Sequence, residues 1–349
     1  MIKLHIFEHD LFPLWKFRYH LVSLLSNYFS ISIYVRYSSF DPPSGYLSNF
    51  NIFSSSSFFE EFIAMRRSIK SSPDAVLIFG LRTLLAFSVA SLFSRRIKSK
   101  VFFLLPGIGR TCTFPNFILS PLFSYLSIFP DNFIFLNTHD LSLFNLSGKN
   151  TLLLPSEGVD FNQFSSFNSL PAFNNREGLV YIGRLIEYKG IFNFLDLLPS
   201  EFTLNIYGFG NSASVSRVQS YRNAIYYGSV ISASEYFIKY KYFVFPSFYC
   251  EGFPISIIES ILCGCIPICC DIPQLSHLKS HVPDLCFLPK NYTCSDFTSL
   301  LAFYEDNIDF TNNLRIDLLN YVRNFHNVDL VSNQIKNFLI NDKSSINGR

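Results

Sequence analysis

Short continuous apolar runs recur along the chain, separated by amphipathic or polar stretches. Residues 2–7, 31–36 and 75–79 ("AVLIF") read as strands, and 101–105 ("VFFLL") and 132–136 ("NFIFL") extend the series. Helical or loop segments lie between them, and this spacing predicts a doubly wound parallel sheet. The Ser-rich tract "FSSFNSLPAFNNREG" (164–178) then interrupts the pattern. A second series follows at 178–183 ("GLVYIG"), 202–208 ("FTLNIYG"), 223–228 ("NAIYYG"), 241–246 ("KYFVFP") and 265–271 ("CIPICCD"). Nearly all of these runs end in Gly, Pro or Asp, as expected where buried parallel strands stop at a ligand-bearing edge. The expected division is a first domain over 1–163, a linker over 164–177, a second domain over 178–325, and a C-terminal helix with a frayed polar tail over 326–349. No repeat of solenoid length is visible.

Length agrees with this division, because 349 residues suffice for two domains, each with its own core. Composition adds that something besides bulk water touches the surface: 41 residues are Phe and only 15% are charged, against about 25% in ordinary soluble proteins. The apolar stretch "FILSPLFSYLSIF" (117–129) contains Pro121 and several Ser and is shorter than the roughly 18 to 20 residues that cross a bilayer, so no spanning helix is expected. The start, "MIKLHIFEHD", reads as a first strand and not as a signal peptide, and the expected location is the cytoplasm.

Charge is unevenly divided, with net +6 over 1–150 and net −4 over 151–349. The basic clusters "MRRSIK" (Arg66, Arg67, Lys70) and "SRRIKSK" (Arg95, Arg96, Lys98, Lys100) leave two readings open. They could face an anionic membrane surface, each basic residue contributing about 1 kcal/mol, or be solvated helix ends. No nucleic-acid-binding module surrounds them, and nucleic acid is not an expected partner. Of the eight Cys, Cys263, Cys265, Cys269 and Cys270 lie inside apolar runs, with no CxxC pair and no zinc spacing. They read as buried reduced thiols. His277 and His281 stand four apart without a third ligand at helical spacing, and no metal is expected.

The chemistry concentrates in "EGFPISIIE" (251–259). The strand before it ends near Pro246, and a helix beginning at Pro254 closes before Gly264, with Pro at the first turn, where a missing N–H costs least. Glu251 therefore lies in a strand-to-helix loop and Glu259 on the helix. Glu251, Gly252 and Phe253 fall at the carboxyl edge of a parallel strand, beside a helix start whose N–H groups favour a phosphate. Gly252 can bring its backbone close to such a ligand, and Glu259 can accept hydrogen bonds from a diol such as a ribose.

"EGFPISIIESILCGCIPICCD" resembles the E-G-F-P-x5-E-A-x-A-x-G-x-P-V signature of retaining glycosyltransferases of family 4, with Ser260 and Leu262 in place of small residues. "YIGRLIEYKG" (181–190) is similar to the family's G-R-L-x3-K-G, "IYGFG" (206–210) to its G-x-G loop near the nucleotide, and "LLPSEGVDFNQF" (153–164) to the G-V-D-x3-F strand and turn. More distantly, "LLPGIGR" (104–110) resembles a T-G-L-G segment and "FIFLNTHDLSLF" (133–144) an F-Q-N-x-D-D-x3-F segment of bacterial enzymes that glycosylate polyprenyl-diphosphate sugars. Where many members carry a His, this chain has Pro106 or Gly107.

The resemblance implies a GT-B fold, two Rossmann-like doubly wound domains facing an interdomain cleft, and transfer of a sugar from a nucleotide-diphosphate sugar with retention of configuration. It implies that Arg184 and Lys189 hold the donor diphosphate, that Glu251 orients the donor sugar and Glu259 the ribose, and that Gly183, Gly208, Gly210, Gly252, Phe253, Pro254 and Ile255 complete the donor site. On the acceptor side it points to Gly107, Gly109, Arg110 and Asp140; a local capping role for His139 and Asp140 stays open. No cofactor or metal is expected beyond the nucleotide sugar. The implied acceptor is a lipid-linked saccharide of bacterial cell-surface polysaccharide biosynthesis, such as O-antigen, with the enzyme peripheral on the inner face of the cytoplasmic membrane. A soluble acceptor, or a scaffold that binds nucleotide without turnover, are the alternatives. A nicotinamide dehydrogenase is disfavoured, because no G-x-G-x-x-G follows the first strand.

Overall fold

The computed structural model describes residues 1–36, 50–94, 97–109, 116–164, 170–248 and 251–341. By contact the chain divides into two compact units, one comprising 1–158, 251–253 and 328–349, the other 159–250 and 254–327.

The first unit is built on a seven-stranded sheet. Its strands are β1 (Ile2–Glu8), β2 (Phe29–Arg36), β3 (Asn51–Ser55), β4 (Ala75–Phe79), β5 (Lys100–Leu105), β6 (Asn132–Phe135) and β7 (Asn150–Leu153), in the order β3-β2-β1-β4-β5-β6-β7. Every pairing is parallel. The central strands are buried along their length because helices cover both faces, which explains why β4 and β5 are unbroken apolar runs rather than alternating ones. β3 and β7 were not anticipated from the pattern. Both are edge strands, with the polar sequences "NIFSS" and "NTLL" and mostly exposed side chains, so they lack that signature.

The helix Phe58–Ser71 starts at Ser57, whose hydroxyl accepts from the Glu60 N–H, and ends at Ser72 in the left-handed region. Val328, Val331, Ile335 and Leu339 of the last helix, Val328–Asn341, return to the core of this unit. The apolar stretch from Phe117 lies in the helix Asn116–Leu126, which contains Pro121. Among the described residues no helix is long and apolar enough to cross a membrane.

The second unit holds a five-stranded parallel sheet, with β8 (Glu177–Ile182), β9 (Leu204–Tyr207), β10 (Ala224–Tyr226), β11 (Tyr240–Phe245) and β12 (Ile266–Cys269) in the order β10-β9-β8-β11-β12. Cys263, Cys265, Cys269 and Cys270 are buried free thiols, and burial pushes Cys265 and Cys270 up to about 12, so they remain protonated packing groups. His277 and His281 stack on each other, with ring centroids 4.2 Å apart, and pack against Tyr321 and Phe325. Among the described residues no group of three or more His, Cys, Asp or Glu could hold a metal ion.

Candidate functional site

In the second unit the sequence motifs fall at the carboxyl ends of three adjacent strands. After β8 come Gly183 and Arg184, then the turn Glu187–Lys189. Arg184 is exposed, and its guanidinium carbon lies 5.7 Å from the centre of the Tyr188 ring. Lys189 reaches the end of the neighbouring strand, its ammonium 5.6 Å from the centre of the Phe245 ring in β11. Arg217 steadies the same turn with an ion pair of 2.6 Å to Glu187.

After β9, Gly208 has φ +147°, and a Cβ there would stand 1.7 Å from the Gly183 carbonyl oxygen. The two motif loops therefore touch backbone to backbone, which only glycine permits. Gly210 is also crowded, though less so, since its Cβ would meet Leu185 Cβ at 2.8 Å. After β11 comes the helix Ile255–Leu262, with Pro254 at its N-cap and no side chain capping it. Pro254 thus precedes the first helical residue instead of occupying it. The helix closes at Gly264 (φ +78°), and Glu259 projects from its second turn. Ser260 and Leu262, the departures from the family pattern, are both buried, so their effect falls on packing.

Residues 251–253 belong by contact to the first unit. Gly252 lies so close to the loop after β5 that its Cβ would be 1.9 Å from the Pro106 carbonyl oxygen, and a Cβ on Gly107 would be 2.4 Å from the Gly252 nitrogen. The Asn137 amide donates to the Gly252 carbonyl at 3.3 Å. Three distant motifs, at 106–109, 137–140 and 251–253, are thereby brought together, and there is no room for a side chain at 107 or 252. Asp140 is fully buried on the first turn of the helix Thr138–Ser142, its N–H donating to Asn137 Oδ1 at 2.7 Å. Asn137, not His139 or Asp140, is the capping residue. Arg110 lies outside the described residues, as do Arg95 and Arg96, whereas Arg67 and Lys70 are exposed near the end of the helix Phe58–Ser71.

The carboxyl edge of the first sheet also carries charged groups that the sequence pattern did not single out. Arg18 is buried between Glu8, at the end of β1, and Glu157, 2.9 Å away, with its guanidinium over the Phe79 ring. Burial alone would lower the Arg18 guanidinium, but the Glu157 and Glu8 carboxylates outweigh it and hold it above its usual value. Glu8 is pushed up to about 7, because burial outweighs the opposing pull of Arg18. A carboxyl raised in the folded state binds its proton more tightly than the unfolded chain does, so its contribution to stability declines as pH rises from about 4.5 through about 7. Glu8→Gln removes this titration: the melting temperature of wild type relative to the variant is expected to fall between pH 5 and pH 8. A pH-independent difference would contradict the assignment. The sequence signal for the triad was Glu8, a charged residue placed directly after the apolar pair Ile6 and Phe7 at the end of β1.

Two doubly wound parallel sheets in one chain constitute the GT-B architecture. Residues 176–299 match the family model described as "Glycosyl transferases group 1". The whole fold is similar to that of HepE from Anabaena, solved in complex with UDP-glucose, with a TM-score of 0.78 and 13% identity over 97% of this chain and 99% of that one. It is also similar to sucrose-phosphate synthase from Thermosynechococcus elongatus (TM-score 0.72, 13% identity, 96% and 97% covered). WaaG, a glycosyltransferase involved in lipopolysaccharide biosynthesis, is matched at TM-score 0.67 and 11% identity, with 97% and 99% covered. No curated protein matches the chain.

Proposed function

We propose that the protein is a retaining glycosyltransferase that moves a sugar from a nucleotide-diphosphate sugar to a saccharide hydroxyl. The observation that carries this reading is the convergence in the second unit: cations after β8, contacting glycine loops after β8 and β9, and an uncapped helix start after β11, all at the same edge of adjacent strands. The match to glycosyl transferases group 1 and the shared architecture support a glycosyltransferase-type activity. HepE, a protein of the same fold solved with UDP-glucose, supports a nucleotide-sugar donor.

Cleavage of the bond from the anomeric carbon to the β-phosphate oxygen builds negative charge on the diphosphate. Arg184, Lys189 and the N–H groups of Ile255 and Ser256 are donors suited to that charge, each contributing roughly 2 to 4 kcal/mol of barrier lowering when preorganised. The departing phosphate oxygen takes the acceptor proton on the same face of the ring, so no protein nucleophile is needed. Glu251 orients the donor sugar and Glu259 the ribose; they position, and are not an acid and base pair. Gly107, Gly109 and Asp140 mark the acceptor side.

A soluble saccharide acceptor is the reading the comparisons favour, since sucrose-phosphate synthase shares the architecture. The lipid-linked acceptor and an inner-membrane location stay as the second reading, motivated by the exposed Phe117 and Ile118 on the helix Asn116–Leu126.

A panel of nucleotide sugars tests the donor. A true donor present at 100 times its dissociation constant stabilises the fold by about 2.7 kcal/mol, and nucleotide should then be released when saccharide is added. Binding without release would assign a scaffold role, and no binding at all would reject the proposal. Glu251→Ala is expected to reduce turnover about 100-fold or more with nucleotide affinity retained. Glu259→Ala should weaken nucleotide binding about tenfold. Near-normal kinetics in both variants would reject the two roles.

A further inference from the structure

The backbone that carries Arg184 is tied down on both sides of that residue. The Gly183 N–H donates to the Tyr207 carbonyl at 3.0 Å and the Leu185 N–H to the Phe209 carbonyl at 2.9 Å, so the segment after β8 stays bonded to the segment after β9. Leu185 itself is fully buried. These bonds leave open the orientation of the carbonyl of Arg184. That oxygen accepts twice: from the Ile186 N–H at 3.1 Å, which closes a tight turn, and from the Tyr181 hydroxyl at 2.7 Å. A carbonyl offers two lone pairs, and both are engaged.

Tyr181 lies on β8 and is 2% exposed. Its ring runs alongside the turn, since a Cβ on Gly183 would stand 2.9 Å from the Tyr181 hydroxyl oxygen and 3.1 Å from the ring carbon that bears it. A side chain at 183 would press on that hydroxyl, so Gly183 keeps the path to the Arg184 carbonyl clear. Any buried tyrosine needs a partner for its hydroxyl. Tyr242, on β11, donates to Glu305 Oε1 at 2.9 Å. Tyr181 instead spends its hydrogen bond on the peptide of a motif cation.

That choice has a lever behind it. Arg184 is exposed, and its guanidinium carbon lies 5.7 Å from the centre of the Tyr188 ring. A long exposed side chain is aimed largely from its base. A tilt of about 10° there moves a group some 6 to 7 Å away by about 1 Å, and misplacement of that order costs up to about 10²-fold in rate.

We propose that Tyr181 is a positioning residue for the transfer, its hydroxyl fixing the carbonyl of Arg184 and thereby aiming the guanidinium at the departing diphosphate. This rests on the transferase reading above, in which Arg184 meets that diphosphate. The hydroxyl acts through Arg184 and takes no part in the bond-breaking step.

Tyr181→Phe tests it, because the ring stays and one oxygen goes. With the donor found in the nucleotide-sugar panel, turnover is expected to fall about five- to tenfold while the donor KM stays within about twofold. Tyr242→Phe, which deletes the hydroxyl bonded to Glu305, serves as the control for hydroxyl loss in the same sheet and should turn over as wild type does. The deciding measurement is a double-mutant cycle with Arg184→Ala. In that background Tyr181→Phe should cost less than about twofold, since no guanidinium is left to aim.

Turnover of Tyr181→Phe within about twofold of wild type overturns the role. An equal fractional loss with and without the Arg184 guanidinium also overturns it, and marks Tyr181 as a packing group alone. So does a matching loss in Tyr242→Phe. Failure of the transferase reading looks different: wild type then turns over no nucleotide sugar, or Arg184→Ala is as active as wild type, and the positioning role falls with it.

Discussion

Lys189→Ala and Arg184→Ala are each expected to lower turnover by about 10²- to 10³-fold while the protein folds normally. In the proposed transfer the nucleotide would leave with an additional negative charge on its terminal phosphate, and a cation fixed before the reaction would stabilise it without reorganisation at that moment. Lys189 is suited to this because its turn is steadied by the Arg217–Glu187 ion pair and its stem extends to Phe245. Neither residue is a core group, since Arg184 is exposed and Lys189 half-buried, so alanine should leave the second unit intact. The double variant should lose far less than the product of the single losses, because both cations act on one leaving group. Steady-state kinetics with the donor found in the nucleotide-sugar panel provide the measurement. A turnover within about threefold of wild type in both single variants would remove the diphosphate from this place.

Arg18→Met is expected to destabilise the chain by about 3 to 5 kcal/mol, measured by urea denaturation. Arg18 is the sole ion-pair partner that the described residues provide for both Glu8 and Glu157, and all three side chains are at least nine-tenths buried. Methionine fills most of the volume but leaves two carboxylates facing each other away from water. Loss of a charge partner, rather than a cavity, is then the dominant cost. Adding Glu8→Gln and Glu157→Gln to Arg18→Met should recover a large part of the loss, because neutral amides can share hydrogen bonds without a cation. A single-variant loss below about 1 kcal/mol would mean that water reaches the triad.

The centres of both sheets were legible in the sequence because their strands are buried on both faces and therefore read as unbroken apolar runs. "AVLIF" became β4 and "KYFVFP" became β11 with little error. The edge strands β3 and β7 of the first sheet escaped, because their side chains are mostly exposed, whereas β10 and β12, the edges of the second sheet, were legible as apolar runs. The helix from Ile255 and the loop position of Glu251 followed from Pro254 and Gly264, two residues with narrow backbone preferences. Long-range pairing was not legible. Nothing in the chain announces that Gly107 must stay small because Gly252 lies against it, or that Glu157 closes onto Arg18 from 139 positions away. Those relations arise from topology, which periodicity does not encode.

Residues 251–253 are held by the first unit, while the strand before them and the helix after them belong to the second. The chain therefore cannot be divided by one cut into two independent modules. A chimera that exchanges the second unit for that of a relative would import a foreign tripeptide against Pro106, Gly107 and Asn137. Such a hybrid should retain the host's own Glu251-Gly252-Phe253 to assemble, so an exchange of the second unit has to match four junctions, at 158/159, 250/251, 253/254 and 327/328, instead of the two of a simple insertion.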